Sequence, residues 1–239
     1  LSIVILAAGQ GTRMRSDLPK VLQPLAGRPM LAHVLECAQE LGADDVCVVY
    51  GHGGSAVIDA LDGESVRWSL QAEQLGTGHA VQQAMPDTPD GNMVLILFGD
   101  VPLLTSGTLR RLIDATKDGE MSVLTVDMDD PTGYGRIVRE NGDVSRIVEQ
   151  NDATTEEQAI VEINTGVMFC AAEKLKSWLG SVGNDNAQGE YYLTDVIAMA
   201  VGDGVTVHGV KADSMVEVMG INDKKQLAEA ERALQARLV

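Results

Sequence analysis

The sequence predicts an α/β protein: a mostly parallel central sheet with an antiparallel hairpin excursion. Three observations lead there. Short apolar runs rich in Val and Ile alternate with stretches at helical spacing; the first three segments, near residues 2–6, 30–41 and 46–50, read strand, helix, strand. That order favours a right-handed parallel crossover. Hydrophobic residues make up 45% of the chain but aromatics only 3%, with 25 glycines, a composition suited to helix–sheet layers rather than an aromatic-rich sandwich. Finally, Asn141-Gly142 separates two alternating runs, at residues 136–140 and 144–149, the strongest short hairpin signal. The 239 residues suit one α/β domain or two closely packed lobes.

The opening run Ser2-Ile3-Val4-Ile5-Leu6 reads as a buried strand. It leads into Ala7-Ala8-Gly9-Gln10-Gly11-Thr12-Arg13, and Pro19-Lys20 follow. Glycines let a chain turn tightly and approach a ligand, and successive amide N–H groups can then surround a phosphate. With Arg13 and Lys20 beside it, the loop fits a nucleotide phosphate site; a tight turn with two surface cations is the plain alternative. The spacing lacks the third glycine of a dinucleotide-binding loop and the Gly-Lys-Ser/Thr ending of a Walker A loop.

Pro29 opens a helix that Gly42 ends, and residues 46–50 form a second strand. In the turn at residues 51–54, His52 reads as a loop residue, because no second His or Cys sits at metal-ligand spacing. A helix at 55–61 and a strand at 66–70 follow. Gln71 then leads into Gly76-Thr77-Gly78 before a helix that runs to Met85. Thr77 is either its N-cap or part of a base-binding loop in which the Gln71 amide, or loop backbone, pairs with a uracil edge. Residues 93–98 make the strongest internal strand, ending in Phe98-Gly99-Asp100. Ligands of open α/β sheets sit beyond the carboxyl ends of strands, so Asp100 is a hard-cation ligand or a turn residue before Pro102.

A helix at 105–117 and a strand at 122–126 precede the hairpin, and a strand at 164–169 rejoins the core. Gly135, Glu149 and Asn164 can each be plain turn or edge residues. Together they fit a sugar pocket, which needs neutral amides, carboxylates and close backbone. A helix at 171–179 leads to the polar loop 184–192, where Tyr191 and Tyr192 are expected to cover a sugar. A helix at 193–200, with Thr194 and Asp195 in its first turn, and strands at 205–210 and 215–218 complete the layers. Asn222 then either caps the last helix or offers its carbonyl oxygen to a cation.

The net charge of −17 makes nucleic acid and anionic membranes poor partners. It also repels free nucleotides, so a triphosphate substrate would require local cations and a divalent metal. Cys37, Cys47 and Cys170 are scattered through apolar segments without a Cys-x-x-Cys pair, which reads as reduced core thiols of a cytosolic protein. The first apolar run lacks a basic leader, and no run approaches the ~20 residues of a membrane span. The first residue is Leu1, which suggests a processed or trimmed chain.

The stretch Leu6-Ala7-Ala8-Gly9-x-Gly11-Thr12-Arg13, followed by Pro19-Lys20, resembles the signature of sugar-1-phosphate nucleotidylyltransferases. Nearly the whole chain is similar to the N-terminal pyrophosphorylase domain of the bacterial bifunctional N-acetylglucosamine-1-phosphate uridylyltransferases. The most specific parts are Asp129-Asp130-Pro131-Thr132-Gly133-Tyr134-Gly135-Arg136 and Ala187-Gln188-Gly189-Glu190-Tyr191-Tyr192. The resemblance implies a Rossmann-like nucleotidylyltransferase fold, with a nucleotide-binding part at about 1–126 and a sugar-binding part at about 127–222. A C-terminal helix at 223–239 would lead to an acetyltransferase domain whose hexapeptide repeats this chain lacks, so acetylation of glucosamine-1-phosphate is not expected of it. A homotrimer is implied for the full-length relatives, and the assembly of this chain is left open.

The implied reaction takes UTP and N-acetylglucosamine-1-phosphate to UDP-N-acetylglucosamine and pyrophosphate, for cell-envelope precursors. Mg²⁺ would be held by Asp100 and Asn222, and Arg13 and Lys20 would be catalytic. Substrate contacts would come from Leu6, Ala7, Ala8, Gly9, Lys20, Gln71, Gly76, Thr77, Phe98, Gly99, Asp100, Gly135, Glu149, Asn164 and Asn222. Phe98 stands where family members commonly carry Tyr. Two other readings stay open: a nucleotidylyltransferase for another sugar or base, and a non-catalytic nucleotide-sensing subunit. The joint presence of Arg13, Lys20, Asp100 and Asn222 counts against the second.

Overall fold

A computed structural model describes residues 1–9, 11–51 and 53–238; Gln10 of the glycine loop and His52 lie outside the described residues. Strand β1 (Ser2–Ala7) is buried along its whole length. A pair of two-residue strands, β2 (Pro24–Leu25) and β3 (Arg28–Pro29), precedes helix α1 (Met30–Glu40), and β4 (Asp45–Tyr50) follows. β4 pairs with β1 in parallel, as the strand, helix, strand order predicts. After helix α2 (Ser55–Ala60) come β5 (Arg67–Leu70), helix α3 (Thr77–Ala84) and β6 (Met93–Phe98), which flanks the other side of β1 in parallel. A strand with neighbours on both edges and helices on both faces has no polar side, hence its unbroken apolar run.

Helix α4 (Ser106–Asp114) and β7 (Met121–Asp127) lead to the hairpin β8 (Arg136–Glu140) and β9 (Asp143–Val148). Asn141 and Gly142 both have positive φ (53° and 96°), the turn that Asn-Gly predicts. Helix α5 (Thr155–Gln158) is short and was not expected. Its signal lies in Thr154-x-x-Glu157, a capping box in which each partner bonds the other's backbone N–H. β10 (Glu162–Ala171) returns antiparallel between β6 and β7, with a register irregularity between Asn164 and Met168.

Helices α6 (Ala172–Leu179) and α7 (Asp195–Gly202), strand β11 (Val207–Lys211), helix α8 (Met215–Val218) and helix α9 (Lys224–Leu238) complete the chain. Residues 215–218, expected as a strand, form a helical turn instead. The Ser214 side chain accepts the Val216 N–H, and buried Glu217 accepts from the Thr105 backbone N–H and hydroxyl. A local cap and one side-chain anchor outweigh the strand propensity of four residues.

Among the described residues the main sheet has nine strands, ordered β11-β7-β10-β6-β1-β4-β5, with β8 and β9 attached beside β10. Alternate residues of β1 face two cores. Val4 and Leu6 meet Val81 of α3, Leu175 of α6 and Ile197 of α7. Ile3 and Ile5 meet Leu35 of α1 and Leu109 of α4. A third, small cluster of Leu25, Met30, Leu103, Ile221 and Ala230 seats α9 beside the loop that carries Asn222. Among the described residues no helix is long and apolar enough to cross a membrane.

Candidate active site

The carboxyl ends of β1 and β6 open into three adjoining clefts, with Phe98 in the wall of all three. The first lies over the glycine loop and has a volume of about 230 Å³. Leu6, Ala7, Ala8, Gly9, Lys20, Gln71, Gly76, Thr77, Phe98 and Asp100 all line it. Gly99 does not. Its N–H donates to Leu6 O at 2.9 Å, and it packs beneath the floor among Leu31, Ala7 and Val21.

Gly11 turns the chain with φ 60°. A Cβ there would lie 2.5 Å from Lys20 Cβ, so the glycine lets the loop stack on the lysine stem. Met14, buried in the 3-10 turn Thr12–Met14, pins that loop and leaves Arg13 exposed. Gly76, with φ 112°, leaves room for Tyr191, whose carbonyl oxygen would lie 2.6 Å from a Cβ.

Thr77 is not the N-cap of α3; Gly76 holds that position, and the Thr77 hydroxyl accepts the Leu193 N–H at 3.1 Å. Gln71 is 3% exposed. Its amide nitrogen is within 3.1 Å of both Gly76 O and His79 Nδ1, so the donor half of the amide is already engaged within the protein. Gln74, which sequence reasoning passed over, ties the same loop to Ala8 O and lines the first cleft.

The second cleft holds Gly135, Glu149 and Asn164 together with Tyr134, Gly166 and Thr194. Asn164 donates its N–H to Gly135 O at 2.9 Å, and its side-chain oxygen accepts the Gly166 N–H at 3.0 Å. Glu149 accepts from the Thr194 hydroxyl at 2.9 Å. Burial raises the Glu149 pKa, the Thr194 hydrogen bond opposes the rise, Asp152 and Asp195 add to it, and Arg136 opposes it. The rings of Tyr191 and Tyr192 do not line the cleft; Leu193 and Thr194 do. Tyr192 is buried with its hydroxyl toward Asp152 Oδ2 (3.4 Å), and the Tyr191 backbone bonds Leu75 and Gly78. The polar loop is tied down by its backbone, which sequence pattern does not reveal.

Arg13, Asp100, Tyr134 and Asn222 line the third cleft. Ile221 N–H donates to Asp100 O at 2.8 Å, which brings Asn222 beside Asp100. Asn222 does not cap α9. Asp223 Oδ1 accepts the Gln226 N–H at 2.8 Å, and Gln226 Oε1 accepts the Asn222 N–H at 2.7 Å. The Asn222 amide nitrogen donates to Gly220 O at 3.2 Å, and its Oδ1 is left for the site, where it accepts from Lys20 Nζ at 3.1 Å. Lys20 Nζ also forms a salt bridge with Asp100 Oδ2.

One carboxylate oxygen and one amide oxygen thus converge on a single cationic atom. Among the described residues there is no group of three or more His, Cys, Asp or Glu side chains able to hold a metal. The pair nevertheless suits a Mg²⁺ ion that takes its remaining ligands from phosphate and water, with the Lys20 ammonium marking the point that a cation favours. Burial raises the Tyr134 pKa and Asp100 raises it further, while Arg13 opposes the rise; the phenol therefore stays neutral beside the pair.

A glycine turn, two cations and a carboxylate beyond parallel strands define a nucleotidyltransferase-like protein, and solved structures share the fold. A nucleotidyl transferase from Methanothermobacter thermautotroptrophicus superposes with TM-score 0.68 at 21% identity, covering 99% of this chain and 98% of that one. A Bacillus anthracis structure assigned as a glucose-1-phosphate thymidylyltransferase gives TM-score 0.77 at 18% identity, covering 97% and 94%. The chain belongs to the MobA-like NTP transferase domain family, whose model matches residues 3–164. Curated relatives at 53–55% identity are named bifunctional protein GlmU. That of Azoarcus sp. (strain BH72) is 55% identical over all 239 residues, which make up 53% of its length. The chain spans about half the length of the curated relatives it matches.

Proposed function

We propose that this chain transfers a uridylyl group from UTP to N-acetylglucosamine-1-phosphate and releases pyrophosphate. The observation that carries the reading is the convergence of Lys20, Asp100 and Asn222 between the first and third clefts. The choice of substrates is supported by the likeness to the uridylyltransferase domain and by relatives of 53–55% identity along essentially the whole chain.

In this reading the uridine lies in the first cleft, against Leu6, Ala7, Ala8, Gly9, Gln71, Gly76 and Thr77. The Gln71 carbonyl oxygen and the loop backbone read the base. The sugar occupies the second cleft, against Gly135, Glu149 and Asn164. Nucleotide binding falls to about residues 1–126 and sugar binding to about 127–222.

No covalent protein nucleophile is needed. An oxygen of the sugar phosphate attacks the α-phosphorus of UTP, a new P–O bond forms, and the bond to the β-phosphate breaks to release pyrophosphate. The protein's task is to align the two anions and offset the negative charge that builds up. Lys20, a compact ammonium on a mobile stem, steadies phosphate charge near the reacting centre. Arg13, exposed and without an ion pair among the described residues, binds the departing phosphates. Asp100 and Asn222 would hold Mg²⁺, which when bound supplies charge neutralisation on phosphate oxygens.

The setting proposed is the bacterial cytoplasm, in synthesis of cell-envelope precursors. The longer relatives would acetylate glucosamine-1-phosphate through the part that this chain does not span. The test is to mix the purified chain with UTP, N-acetylglucosamine-1-phosphate and Mg²⁺ and follow pyrophosphate. Metal-dependent release confined to this pair is expected. Equal release with other sugar phosphates would overturn the substrate assignment, and no release with any pair would overturn the activity.

A further inference from the structure

We infer that Arg136 is a positioning residue for the sugar-phosphate half of the site, fixing from behind the backbone of residues 133–135 that walls the second cleft. The inference deepens the proposed function and rests on it. Arg136 opens β8 and is 1% exposed. Buried guanidinium groups normally meet a carboxylate, because an uncompensated charge away from water is costly. Among the described residues Arg136 has no such partner. Its Nη1 donates to Tyr134 O, and its Nη2 to Gln150 Oε1 at 2.7 Å and to Gln158 O at 3.5 Å. Its Nε–H finds no acceptor there.

Two of those acceptors serve the cleft wall. The Tyr134 carbonyl belongs to it, and Gln150 Oε1 also accepts the Gly133 N–H at 3.1 Å. The guanidinium and the Gln150 amide together therefore grip two successive residues, Gly133 and Tyr134. These line the second and third clefts, and Gly135 lines the second. Gly135 faces Glu149 closely enough that a Cβ there would lie 3.3 Å from its Oε1. A shift of the wall thus moves the surroundings of Glu149 directly. The guanidinium charge also works against the burial of Glu149 in setting that carboxyl's pKa. A fork that reaches acceptors on three segments is a task for arginine, which a lysine ammonium performs less well.

The experiment measures kcat and both KM values for Arg136→Met, Arg136→Lys and Gln150→Ala. Losing a grip on the wall should raise the KM for the sugar phosphate about tenfold in Arg136→Met and Gln150→Ala, with the KM for UTP within about twofold. Arg136→Lys should recover part of the loss. If Arg136→Met does not fold, Gln150→Ala decides the matter, since it removes the bridge to Gly133 and leaves the buried charge in place. A purely structural role would lower the active fraction and kcat with both KM values unchanged, which overturns the inference; so would parallel rises in both KM values. Wild-type turnover is the control: its absence overturns the reaction itself, whereas wild-type turnover without the split in the variants overturns only the role of Arg136.

Discussion

Lys20 is held by two oxygens from distant parts of the chain, Asp100 at the end of β6 and Asn222 just before α9. Each had two readings in the sequence, a turn or cap residue or a cation ligand, because a short carboxylate or amide side chain suits both. If the trio and the nearby Arg13 handle phosphate charge, Asp100→Ala or Arg13→Ala should cost at least ~10² in kcat/KM, as loss of one preorganised partner does elsewhere. Arg13→Lys should recover only part of it, because an ammonium lacks the planar fork that offers a phosphate two parallel N–H bonds. Steady-state kinetics on folded variants would check this, and near-normal turnover in either alanine variant would sink the assignment.

Glu149 gives a second test at this scale. Its pKa is raised from the ordinary 4.5, chiefly by burial. The native state therefore binds a proton at higher pH than the unfolded chain. The stabilisation this brings is complete below the unfolded value and is lost as pH rises through the folded value. Glu149→Gln, neutral at every pH, should melt above wild type at about pH 8, with the gap closing toward about pH 4. The same variant should bind the sugar phosphate more weakly. A melting difference independent of pH would show that the charge of Glu149 is not its source.

At the scale of elements, the loop before α3 and the segment before α7 form one unit. Tyr191 N–H donates to Leu75 O, Gly78 N–H to Tyr191 O, and Leu193 N–H to the Thr77 hydroxyl. Thr194, one residue on, reaches Glu149. Gly76→Ala forces a side chain against Tyr191 at a φ that L-residues rarely adopt. It should cost roughly 1–3 kcal/mol of stability and raise the KM for nucleotide more than that for sugar phosphate. Denaturant titration together with the two KM values would check it, and a variant as stable as wild type would show that the tie is dispensable.

At the scale of the molecule, the three thiols sample both sides of the sheet. Cys37 on α1 faces one core, and Cys47 on β4 and Cys170 on β10 face the other. Burial pushes them up to about 12, about 11 and about 12 respectively. They should stay unreactive toward a thiol-alkylating reagent at about pH 8 until the fold opens, because only the thiolate reacts. Labelling rates followed by mass spectrometry then report opening of each layer. Fast labelling of Cys170 in the native protein would mean that the central sheet opens locally.

The sequence by itself determined the layered α/β class, the order of the main strands and helices, the Asn-Gly hairpin and the glycine loop with its cations. These rest on local periodicity, turn stereochemistry and motif spacing, all of which are written in neighbouring residues. The tertiary structure decided the rest, since it depends on which groups meet. Glu217, bonded to Thr105, anchored residues 215–218 as a helical turn, and the Asn222 side-chain oxygen met Lys20 from the other end of the chain. The Tyr191 backbone bonds and the Tyr192 hydroxyl bond to Asp152 hold those residues outside the second cleft wall, and Arg136, one polar residue in an alternating strand, became a buried cation behind that wall. A hydrogen bond between residues far apart in the chain leaves no periodic trace, so only the folded chain could assign those partners.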